Sequence, residues 1–140
     1  MGRGAERDPR VFVPVHLAHA VIFCVLAVAT GGSLAMPLGA ALMNYMAYYA
    51  GALGASSAEP WKAMLLAWVP WALIRIAAFV TLGVVLGAPL LARVLGFEYR
   101  LRANQSWIAL AGAGLVVDIL LKWALAPAWR EMIRNAAGWQ

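Results

Sequence analysis

The 140 residues include one cysteine, two histidines and six acidic side chains. With Cys24 alone, neither an internal disulfide nor a cysteine-rich metal site can form, and a thiol inside an apolar run reads as a small packing residue. His16 and His19 sit on one segment, which excludes a haem held by histidines from two helices of one subunit. No glycine-rich phosphate loop appears. Ser33, Ser56, Ser57 and Ser106 have no histidine–carboxylate setting near them. Charge is equally scarce. Charged residues make up 12% of the chain and hydrophobic ones 64%, against about 25% and about 45–50% in soluble domains. Those departures exclude disorder, a basic nucleic-acid-binding domain and an ordinary cytosolic enzyme. The composition instead predicts an all-α integral membrane protein with no catalysis, no bound metal and no resident cofactor.

The few charges divide the chain into segments. Arg3, Glu6, Arg7, Asp8 and Arg10 crowd the first ten positions, and none follows until Glu59. A spanning helix needs about 20 apolar residues, so the 48 uncharged residues from Val11 to Ala58 hold two spans. Thr30-Gly31-Gly32-Ser33 is the turn between them, and Pro37 suits the first turn of the second helix. Gly54 to Pro60 is a polar, small-residue connection. A third apolar run follows, broken only by Arg75 and kinked at Pro70, where proline removes a donor and clashes one turn back. Residues 93–105 connect to a fourth run containing Asp118 and Lys122. The prediction is a single domain over 1–140, with four spans near 11–30, 35–54, 63–90 and 106–128. In the tail 129–140, Trp129, Met132, Ile133 and Ala136 recur at helical spacing opposite Arg130, Glu131, Arg134 and Asn135. That pattern suits an interfacial amphipathic helix.

Arg10, the apolar run and Ala27-Val28-Ala29 imitate a secretory signal, but Glu6 and Asp8 in the leading segment count against cleavage. Basic residues set the orientation. With both termini cytoplasmic, Arg3, Arg7, Arg10, Lys62, Arg130 and Arg134 lie inside, against Arg93, Arg100 and Arg102 outside. A bacterial inner membrane is the expected location. Most of the net charge of +5 is then topological or drawn to anionic headgroups, and no nucleic acid is implied. Trp61, Trp107, Trp129 and Trp139 fall near the expected interfaces, where indoles are favoured.

Polar residues within spans are costly and mark structure or function. Reading each span by its centre places His19, Asn44, Arg75 and Asp118 at about one depth. Arg75 needs a counter-charge, and Asp118 is the only acid within a span. Lys122 lies one turn beyond Asp118 and can snorkel outward, leaving Asp118 for Arg75. Trp71, one turn before Arg75, is placed to stack on the guanidinium. Two readings of this cluster stay open: a clamp that fixes helix register, or a cavity that exchanges protons or binds a small polar ligand. His16 and His19, at i and i+3, are further candidates as ligands to a chlorin or shared haem. Gly83 and Gly87 form a GxxxG motif for close helix packing, and Ala47, Gly51 and Ala55 offer a similar stripe.

From Trp61 through Trp68-Val69-Pro70 to Arg75, the sequence resembles bacterial members of the Yip family of polytopic membrane proteins. They often carry a Trp-x-Pro element followed by an Arg. Asp118 and then Trp123 resemble an element of their last spans, so the resemblance covers about residues 60–125. Family members usually have more spans than the four counted here. The resemblance implies a small helical bundle without known catalysis, acting through interactions in or on the membrane; eukaryotic relatives are tied to vesicle trafficking.

Three functions fit these residues. The first is an accessory or scaffolding subunit that packs against partner membrane proteins or against itself. The second is a small oligomeric transporter or channel using the polar cluster. The third is a pigment- or haem-bearing subunit of an electron-transfer or photosynthetic complex, through His16 and His19.

Overall fold

A computed structural model describes residues 9–138; Arg3, Glu6, Arg7, Asp8 and Trp139 lie outside that range. The described residues are helical with short connections. In order they form α1 (Pro9–Thr30), α2 (Ala35–Ala55), α3 (Pro60–Ala67), α4 (Pro70–Leu95), a short 3₁₀ turn (Leu101–Asn104) and α5 (Gln105–Ala137). Three segments are long and apolar enough to cross a membrane, namely α1, α4 and Leu101–Ala137. Although α2 has the length, at 21 residues, Asn44, Tyr45, Tyr48 and Tyr49 dilute its apolar character.

The α1–α2 turn follows from its glycines. Gly31 and Gly32 adopt φ of +60° and +87°, which a side chain resists. Thr30 secures both flanks. Its hydroxyl donates to the Leu26 carbonyl at 2.6 Å and accepts from the Leu34 amide at 3.1 Å. The reversed chain packs Ala35 against Phe23 and Ala27.

At Pro70 the structure departs from the expected kinked helix. The run 63–90 is not one helix but two, separated at Trp68 and Val69. Proline disfavours the helical conformation in its predecessor, and Val69 is extended, with ψ of 137°. Pro70 also lacks the N–H that would bond the Leu66 carbonyl. The Trp129 indole N–H fills that place, donating to Leu66 O at 2.7 Å.

The centre of the bundle is α4, which runs parallel to α1 and antiparallel to α5. Phe23 of α1 faces Phe79 of α4, with centroids 4.9 Å apart, and Gly31 meets Gly87. On its other side, α4 packs Ala78 and Leu82 against Ala111 of α5, with Cys24 of α1 at the margin as a small apolar neighbour.

The tail differs from the expected separate surface helix. Residues 129–137 continue α5, a single helix of 33 residues. Ala136 is buried against Ala50 and Leu53 of α2 and Ala63 and Ala67 of α3, with Ile133 beside them. The Ala58 and Glu59 amides donate to the carbonyls of Ala137 and Ala136, at 3.3 and 3.1 Å. Met132 alone of the expected apolar face stays exposed, so this face is consumed by protein contacts.

Candidate functional site

The most concentrated polar chemistry lies where α1, α4 and α5 meet. Arg75 reaches from α4 to Asp118 on α5 and donates twice, Nε to Oδ2 at 2.9 Å and Nη2 to Oδ1 at 3.0 Å. This fork-to-carboxylate geometry is the strongest ion-pair arrangement available to an arginine. Asp118 is only 1% exposed, while the Arg75 side chain keeps 27% of its surface accessible. Ala78 and Gly114 make the reach possible, because their small size lets α4 and α5 approach closely.

His16 of α1 completes the group. Its Nδ1 lies 2.8 Å from the Phe12 carbonyl, a contact in which the ring N–H donates and the lone pair is left on Nε2. Nε2 is buried and makes no hydrogen bond. The ring is within electrostatic range of Arg75, Lys122 and Asp118. One turn nearer the start of α1, the Lys122 ammonium sits 4.8 Å from the Phe12 ring centroid, a cation–π contact.

The polar layer expected at one depth is thus rearranged. His19 and Asn44 are exposed. His16 takes the place expected of His19, because α1 turns its Phe12–His16–Phe23–Ala27 stripe inward. His16 and His19 therefore do not act together: one ring is half-buried and the other faces outward. Arg75 and His16 also lie off-centre along their helices. Since α4 starts at Pro70, Arg75 lies only about 8 Å of helix rise from its end, and His16 about 10 Å from the start of α1. Trp71 is buried, and its aromatic partner is the Trp129 ring at 5.7 Å rather than the Arg75 guanidinium.

Gly83 and Gly87 are used within the chain. A Cβ on Gly83 would lie 3.1 Å from Met36 Sδ and 3.2 Å from Phe23, and one on Gly87 would fall 2.7 Å from the Gly31 backbone. The motif seats α4 against the α1–α2 turn.

Sequence reasoning missed Trp129 and Phe12. The Trp129 role had a signal in Pro70, which leaves the Leu66 carbonyl without its helical donor. Phe12 had none, because an aromatic near a helix start reads as ordinary apolar surface.

No metal-binding group of three or more His, Cys, Asp or Glu occurs among the described residues. The chain matches no protein-family model, no curated protein and no solved structure.

Proposed function

We propose that this chain is a non-catalytic integral membrane protein, an accessory or scaffolding subunit that presents one helix to another membrane protein. The observation that carries the reading is the outward face of α2. Because α1 and α4 run parallel, the chain has to return between them, and α2 is the element that does so. Placed across a bilayer, α2 exposes Asn44, Tyr45, Tyr48 and Tyr49, with the two outermost tyrosines 72% and 77% exposed. An amide facing hydrocarbon has lost its water and gained no partner, which is costly. A neighbouring helix removes that cost.

Four crossings with both termini cytoplasmic, in a bacterial inner membrane, fit the lysine and arginine asymmetry and belong to the same proposal. So does the resemblance to Yip proteins, whose Trp-x-Pro, Arg and Asp elements fall here on the α3–α4 break and the Arg75–Asp118 pair. The bidentate pair acts in this reading as an internal clamp. Extraction of the full chain in mild detergent tests it. A stoichiometric membrane partner, or a discrete self-assembly, is expected, and Asn44→Leu reduces it. A monomer unaffected by that change overturns the reading.

One observation favours a second function, a small transporter. Buried His16 Nε2 beside a partly accessible Arg75 is an internal polar site of the kind that transporters use. Proton or solute flux into vesicles carrying the purified chain, abolished by His16→Leu, is its expected signature.

A further inference from the structure

We infer that the occupant of the outward α2 face is a second copy of this chain, paired through parallel α2 helices with Asn44 against Asn44. The inference rests on the proposal that α2 crosses the membrane, and it names the partner of that face.

Pro37, Ala41, Asn44, Tyr48, Gly51 and Ala55 recur at alternating steps of four and three, the 3.5-residue period of a helix–helix seam. All six are exposed. They lie opposite the stripe of Ala35, Ala50, Leu53 and Gly54 that packs within the chain. Nothing inside the chain accounts for the glycine in this seam, since a Cβ on Gly51 would meet no atom within 4 Å. Gly54, one turn on, is different: a Cβ there would run into the Met64 side chain. Small residues at 41, 51 and 55 let two backbones approach, as membrane helix pairs require.

Symmetry then selects the partner. Two copies inserted with the same orientation are related by a two-fold axis along the membrane normal, so each α2 residue meets its counterpart at the same depth. The face has to complement itself. An amide does so, because it carries both donor and acceptor, and two Asn44 side chains satisfy each other across the axis. Tyr48, one turn away, meets its counterpart beside that pair. A different protein would need to bring its own amide to this depth. A second copy brings it by construction.

The test uses the purified full chain in lipid vesicles with Cys24→Ala, carrying single cysteines at Ala41 or Gly51 on the seam, or at Met43 or Tyr49 on the flanks. Oxidative cross-linking is expected to favour the seam positions by about tenfold, with Asn44→Leu lowering seam cross-linking by about the same factor and Asn44→Gln preserving it. Helix content by circular dichroism confirms that each variant folds. Equal cross-linking at seam and flank, or indifference to Asn44→Leu, overturns the inference. If seam cross-links are absent but a different membrane protein co-purifies in an Asn44-dependent manner, the second copy is wrong and the accessory reading stands. If neither occurs, both fail.

Discussion

Gly87 on α4 and Gly51 on α2 are the same chemical choice in opposite surroundings. Around Gly87 the α1–α2 turn closes in until there is no room for a methyl group, whereas a methyl group on Gly51 would meet open space. The same contrast holds for polar groups: Asp118 is 1% exposed and held by two hydrogen bonds, while Asn44 is exposed and makes none among the described residues. The α1–α4–α5 junction is complete in one copy; the α2 face is built from the same materials and left open. A small-residue stripe thus has meaning only through what fills it.

Substitutions that separate the two regions make the contrast measurable. The largest effect is expected at the ion pair. Asp118→Asn leaves a largely desolvated guanidinium without its counter-charge and should lower unfolding stability in detergent by about 3 kcal/mol. Replacing Arg75 and Asp118 together by leucine should cost less than Asp118→Asn alone, because no unpaired charge remains. A double variant as weak as the single one would mean that the pair is not acting as a clamp.

Next comes Gly87→Ala. Its methyl group meets backbone atoms that cannot rotate away, so a loss of about 1–3 kcal/mol is expected in the same unfolding titration. Gly51→Ala should reverse the sign in the monomer. Alanine is the better helix former and meets no neighbour, for a gain of up to about 1 kcal/mol. Equal responses at the two glycines would erase the distinction between the regions. The smallest expected effect on the monomer is that of Asn44→Leu, within about 0.5 kcal/mol because the residue is exposed. A larger loss, read from unfolding under dilute conditions, would assign Asn44 to the chain's own packing.

The bounds of α1 and α2 were legible from the long uncharged run that holds them and from Thr30-Gly31-Gly32-Ser33, which turns between them, whereas the third run broke in two and the fourth ran on to Ala137. The choice of Asp118 as the place for Arg75 was legible too, by elimination among acids. Rotation was not. In a soluble helix the polar face identifies the outside, but α1 presents Val15, Val21 and Val25 outward and Phe23 and Ala27 inward, all apolar. Nothing in that composition says which way His16 and His19 turn, so the inward histidine had to come from packing. The length of α5 was hidden for a related reason. Arg130 and Arg134 look like the polar face of a surface helix, yet Ala136 and Ile133 opposite them meet α2 and α3 rather than lipid. At Pro70 the residue type announced a disturbance. Its severity depended on Trp129, 59 positions later, supplying the donor that lets the helix break without leaving Leu66 O unpaired.

The bonds from the Ala58 and Glu59 amides to the last carbonyls of α5 also set an order of assembly. A chain made from its N-terminus has α1, the turn, α2 and α3 in place long before residues 136 and 137 exist. Until then Ala50, Leu53, Ala63 and Ala67 lack the helix that covers them, and the Leu66 carbonyl lacks its indole. The α2–α3 corner is therefore the first part made that is among the last to be finished. Until the closing turn of α5 arrives, its uncovered alanine surface is where a helix of another chain would most easily intrude.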